Sequence, residues 1–321
     1  MADKPSRALV LYGDGLARFI DPLHTHLHSL ASKAACGFLS LPNSPPSESE
    51  DERLVREFAV LVDAHPAYVS EIGKHTTELE CQKKPQFQTV SDRFMGMKAA
   101  LITNNSRLKS FGGKLGFTTL QLNELIKTSG SLAALPVDVL ASELLKLLGF
   151  QGGKMEDASQ FDLVFVHIGA GEKMNGVKEE ANAHDMEYAN SLVGVILQTA
   201  QPGTEVGSHL HLSVVMSYGC VLEADSSKLS VLIPKDEKKS DLSVLFPRQS
   251  YTMQGESPRD DVRHHCPMLI SQWQHAVTRK DMAETFSFKD FKEHGGNLVI
   301  PADRFLHEVA FKLWKAPKYG A

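Results

Sequence analysis

Residues 161–172 read Phe161-Asp-Leu-Val-Phe-Val-His-Ile-Gly-Ala-Gly-Glu172. From Leu163 to Ile168 the run is apolar except for His167, and it lacks the alternation of a strand wetted on one side. A short apolar run closed by glycine predicts a strand buried on both faces, which needs helices above and below it. The flanking chain supplies them. Val137 to Leu148 predicts an amphipathic helix closed by Gly149, and Ala181 to Ala200 a helix stopped by Pro202-Gly203.

Working outward, Ala8–Tyr12, Gly37–Leu41, Ala99–Thr103, His209–Tyr218, Leu229–Ile233 and Met268–Ser271 read as further strands. Pro22 to Ala35 suggests a helix. Ser49 with Glu52 has capping-box spacing ahead of the helical face Leu54, Val55, Phe58, Leu61 and Val62. Thr118 with Gln121 predicts a second box opening a helix to Lys127, and Asp303 a cap for a last helix carrying Phe305, Leu306, Val309, Ala310 and Leu313. Strands alternating with helices predict an α/β sandwich around a mostly parallel sheet. No repeat or long linker divides the 321 residues, so a single domain over 1–321 is expected.

Composition narrows the function. Lys and Arg number 34 against 39 Asp and Glu, a net charge of −5, which gives no general attraction to nucleic acid or anionic lipid. No apolar run approaches the roughly 18 residues of a membrane span. Met1 to Arg7 lacks the apolar core of a signal peptide, so a cytoplasmic protein is expected. The four cysteines show no CxxC spacing, which argues against thiolate metal sites and a disulfide scaffold. Fourteen histidines are many for this length, and they group at 24/26/28, 209/211 and 264/265. His209 and His211, two apart in a strand, would share a face, either chelating or solvated opposite Leu210, Leu212 and Val214.

In open α/β sheets, chemistry collects where strands end at their carboxyl edge. Three such turns stand out: Gly13-Asp14-Gly15, His167-Ile-Gly-Ala-Gly-Glu172, and Arg263-His264-His265-Cys266-Pro267 before the Met268 strand. His167, inside its apolar run, reads first as a core histidine.

Taken in order, these turns resemble the alkaline-phosphatase superfamily, nearest the archaeal-type cofactor-independent phosphoglycerate mutases. Leu30-Ala-Ser-Lys-Ala-Ala-Cys-Gly37, Gly96–Ile102, Phe111–Gly116, Ser191–Leu197, Phe288–Gly296 and Lys318–Ala321 are similar to the family's successive elements. The resemblance covers most of residues 8–48 and 93–321, and implies an alkaline-phosphatase-like sandwich. Active members hold two divalent metals that activate a Ser or Thr nucleophile. By that resemblance Asp14, Glu172 and either His264 or His265 are the matching metal ligands. Ser47, with Ser44 and Ser49 as neighbours, falls in the nucleophile loop. The family's Asp-Glu-x-Gly-His becomes Glu172-Lys-Met-Asn-Gly176, and its Asp-His pair becomes Tyr218-Gly219 within Met216-Ser-Tyr-Gly219. Residues 48–92 stand as a short insertion where the mutases carry their substrate domain.

The expectation is therefore a degenerate relative acting as a binding or scaffold protein. It would use no cofactor and engage a protein partner or a phosphorylated small molecule, but neither nucleic acid nor membrane. The alternative is a metal-dependent phosphohydrolase or phosphomutase with a reduced site for Mn, Mg or Zn.

Overall fold

The computed structural model describes residues 6–45, 48–72, 88–126, 136–156, 159–169, 178–219, 253–254, 257–258 and 266–317. Eight strands form one sheet: β1 (Arg7–Gly13), β2 (Ala35–Ser40), β3 (Ala99–Ile102), β4 (Thr118–Leu120), β5 (Leu163–Ile168), β6 (Leu210–Met216), β7 (Met268–Trp273) and β8 (Val299–Pro301). Their spatial order is β8-β2-β7-β6-β1-β5-β3-β4. The strands expected at Ala8, Ala99, Leu163 and Met268 thus share one sheet. Pairing is parallel throughout this sheet except at β7, which runs against both β6 and β2.

The helices of seven residues or more are α1 (Thr25–Ala31), α2 (Glu50–Leu61), α3 (His65–Ile72), α4 (Ser106–Lys114), α5 (Val137–Leu147), α6 (Lys178–Thr199), α7 (Phe288–His294) and α8 (Phe305–Lys312). Side-chain alternation along each strand builds two cores. Leu9, Leu11, Val164, Val166, Leu212 and Val214 meet α1, α5, α6 and α7 on one face. Ala8, Val10, Tyr12, Leu163, Phe165 and Ile270 meet α2, α3, α4 and α8 on the other. β5 is buried on both faces, as its unbroken apolar run requires.

Helix α2 lies within the 48–92 segment and packs directly on the sheet. Its Phe58 ring stands edge-on to Phe165, centroids 5.2 Å apart. The capping box forms as expected, with the Ser49 hydroxyl accepting from Glu52 N and the Glu52 carboxylate accepting from Ser49 N.

Three local expectations differ. Thr118–Leu120 is a strand rather than a helix start, because Ala100 to Ile102 offers it a parallel edge; a short helix begins only at Leu122. His209 closes a short helix, Glu205–His209, while His211 is fully buried in β6. No wetted histidine face exists there, because helices cover both sides of that strand. Asp303 sits in a 3-10 turn, Ala302–Arg304, ahead of α8, and makes no side-chain cap to it. The strand expected at 229–233 lies outside the described residues. No helix among the described residues is long and apolar enough to cross a membrane.

Candidate functional site

The register puts Gly13 of β1 level with Ile168 of β5 and Met216 of β6, and Met216 pairs with Leu269 of β7. The turns after β1, β5 and β6, and the entry to β7, therefore meet at one edge, the carboxyl edge of the parallel strands. Asp14 is fixed there by its own backbone, its N–H donating to Ile168 O at 2.8 Å. The left-handed Gly15, φ 72°, then turns the chain away. Ser217, directly after β6, knits the turns together. Its N–H donates to Gly13 O at 2.9 Å, its hydroxyl donates to Asp14 Oδ1 at 3.1 Å, and Ser217 Oγ itself accepts from Gly15 N at 3.0 Å.

The dominant partner of Asp14 comes from α2. Arg53 Nη1 and Nη2 donate to Asp14 Oδ1 and Oδ2 at 2.8 and 2.9 Å, a two-toothed guanidinium–carboxylate pair. Arg53 Nη1 also donates to Glu57 Oε2 at 3.0 Å, one helical turn on, and the Tyr12 hydroxyl donates to that oxygen from β1 at 3.0 Å. The Glu57 side chain is fully buried, and those of Arg53 and Asp14 are 8% and 12% exposed.

These charges set the protonation states. Burial alone would raise the Asp14 carboxyl, but the Arg53 guanidinium, helped by His167 and the Ser217 hydroxyl, holds it below the usual carboxylate range. Burial pushes the Tyr12 phenol far up, reinforced by Glu57 and Asp14. His167 is lowered to about 4 by burial, with Asp14 opposing and Arg53 adding to the effect, so its imidazole is neutral at pH 7. Its Nδ1 lies 3.0 Å from Thr103 Oγ1, while Nε2 is buried with no hydrogen-bond partner among the described residues. A Cβ on Gly169 would lie 3.1 Å from Asp14 Cβ and 3.4 Å from His167 Nε2, so these groups crowd one small volume.

A second arginine of α2, Arg56, organises the neighbouring loop. Its guanidinium donates to Glu48 through Nε at 2.6 Å and Nη2 at 3.0 Å, and to Ser44 Oγ at 3.0 Å. The Tyr68 hydroxyl joins at Glu48 Oε1, 3.3 Å away.

Of the residues expected at the site, Asp14 stands at this edge. Ser47, Glu172, His264 and His265 lie outside the described residues, although β5 ends and β7 begins at this edge. Among the described residues no group of three or more His, Cys, Asp or Glu side chains is arranged to hold a metal ion. At the position matched to the family's Asp-His pair, Tyr218 is buried in the core and Gly219 is left-handed, φ 71°. A Cβ on Gly219 would lie 3.1 Å from Gly15 Cα, so this turn admits glycine by both conformation and space.

Sequence reading missed Arg53, Glu57 and Ser217. The available signal was the trio Arg53, Arg56 and Glu57, charged residues within the apolar face of α2 at helical spacing.

No family model matches the chain, and no curated protein matches it. Solved structures do. The PH0037 protein from Pyrococcus horikoshii is similar at 15% identity over 99% of both chains, with a TM-score of 0.53. A cofactor-independent phosphoglycerate mutase from Thermoplasma acidophilum is similar at 10% identity over 96% of this chain and 99% of that one, TM-score 0.47. A protein in the alkaline phosphatase superfamily from Vibrio parahaemolyticus is similar at 11% identity over 86% and 61%, TM-score 0.47. At such identities the likeness is one of fold. The fold class expected from the sequence, an α/β sandwich with a mostly parallel central sheet and helices on both faces, is the one this chain has.

Proposed function

We propose that this protein is a catalytically degenerate alkaline-phosphatase-like protein that works by binding a partner rather than by turnover. The observation that carries the reading is the Arg53–Asp14 pair. Asp14 is the residue matched to the family's first metal ligand, and both its oxygens are held by one guanidinium at 2.8 and 2.9 Å. A divalent ion would have to displace Arg53, leaving that buried cation with Glu57 alone, or sit within a few ångströms of a fixed like charge. Arg53 thus supplies internally the positive charge that a metal would bring. Asp14, so paired, does not fit the two-metal arrangement. The binding partner is a protein or a phosphorylated small molecule.

The experiment is metal analysis of the purified full chain, paired with aryl phosphate hydrolysis and phosphoglycerate mutase assays with magnesium, manganese or zinc supplied. We expect no stoichiometric metal and no turnover above background. Stoichiometric metal with turnover that Asp14→Ala abolishes would overturn the reading. One observation favours the second reading, an enzyme with a reduced metal site: His167 Nε2 is buried without a partner among the described residues, beside Asp14. In that reading Asp14, Glu172 and His264 or His265 would hold one ion and Ser47 would be the nucleophile. The same assays separate the two.

A further inference from the structure

At the opposite edge of the sheet, where β6 begins and Trp273 of β7 pairs with Leu212, lies a cleft of about 620 Å³. Its walls are the ends of α1 and α6 and the turn after β7. The size is that of a small-molecule site.

The charge is one-sided. Lys33, Lys280, His26 and His275 line the cleft, and no carboxylate does among the described residues, in a chain whose net charge is −5. Neither lysine forms an ion pair with a described residue. The backbone bond from Asp281 N to Ala34 O, 3.0 Å, ties together the two segments that carry the lysines, each one residue from the bonded pair. The nearby Asp281 carboxylate is turned inward, accepting from Cys36 N, Gly296 N and Arg279 Nε. Carbonyls at the helix ends are satisfied locally: Thr204 Oγ1 donates to Gln201 O, and Ser32 Oγ to Ser29 O.

Two costly backbone choices build the walls. Gly194 lies within the continuous 22-residue α6, and a Cβ there would meet the His26 ring at 2.6 Å, so the glycine makes room for the imidazole against the helix. Ala276 is left-handed, φ 59°, in the turn closed by Gln274 N–H donating to Thr278 Oγ1 at 2.8 Å. Strained backbone held by its surroundings marks a preorganised wall.

We infer that this cleft binds a small phosphorylated metabolite, the two lysines taking the phosphate and Ser29, Gln198 and Gln201 the hydroxyls of its body. The site is independent of Asp14 and Arg53, which lie at the other edge, so it stands whether or not the proposed function does.

Calorimetric titration of the full chain with glucose 6-phosphate, inorganic phosphate and glucose tests it. At about 50 mM salt, where surface charges are weakly screened, glucose 6-phosphate should bind saturably, one per chain, and glucose should not. Lys33→Ala with Lys280→Ala should weaken that binding about tenfold or more, and Gly194→Ala should weaken it by displacing His26. Both lysines are exposed, so the melting temperature of the double variant should match the parent; were it to fall, the single Lys→Gln variants would replace it. The inference is overturned if glucose 6-phosphate shows no saturable binding up to about 10 mM, a level weaker than ordinary metabolite affinities. It is equally overturned if the lysine variants bind as the parent does.

Discussion

Arg53 compensates Asp14 and Glu57 at once, so Arg53→Ala leaves two buried acids without their cation. The expected loss is about 3–5 kcal/mol of folding stability, read by urea denaturation at pH 7. Arg53→Lys keeps the charge but not the two-toothed geometry, and should recover only part of that loss. A second prediction concerns acid. His167 is lowered to about 4 by burial from an unfolded value near 6.5, so below pH 6.5 the unfolded chain takes up a proton that the folded chain refuses. Stability from this group is therefore complete above pH 6.5 and falls as pH drops toward 4. The contribution at stake is about 2–3 kcal/mol. His211, lowered by burial to about 3, acts in the same direction. Denaturation midpoints for His167→Asn should fall less steeply between pH 7 and 4.5 than those of the parent. Asp14 comes in lower still: its carboxyl is depressed, so its contribution is present above its ordinary value of 3.8 and lost only as pH falls through the lower folded value.

At the scale of elements, α2 shows how far pattern reading reaches. Its start was legible because a capping box needs only residues three apart, and both halves of it form. Ser49→Ala should cost about 1 kcal/mol. Its apolar face was equally legible, and Phe58, packed against Phe111, Phe117 and Phe165, should cost about 3–5 kcal/mol when cut to alanine. Its arginines were not legible as site residues. Whether a charged residue on a helix faces water or an acid in another turn is decided by packing far along the chain, here a partner 39 residues earlier. The same limit explains Thr118. The Thr118/Gln121 spacing mimics a box, but Gln121 N is in fact capped by Glu124, and Thr118 is claimed by the edge of β3, a contact no local window contains. Of the candidate site, the sequence reading identified Asp14, because a carboxylate directly after an apolar strand is a local pattern; the arginine opposite is not.

The whole molecule is tied together by the interleaving of early and late strands in one sheet. β1 and β2 belong to the first 40 residues, yet β2 pairs with β7 and β8. We expect one cooperative unfolding transition, with far-ultraviolet circular dichroism and tryptophan fluorescence changing together; separated transitions would show that the ends of the chain fold apart.

That same interleaving has a consequence for synthesis on the ribosome. β2 is complete by Ser40, but neither strand that flanks it exists until after residue 267, about 230 residues later. At translation rates of about 5–20 residues per second, its apolar residues wait roughly 10–50 s without a neighbour. Through that interval the nascent chain exposes a strand with two open edges, the form most prone to pairing with the wrong chain. A protein so arranged should depend on chaperones during its synthesis far more than its finished stability suggests.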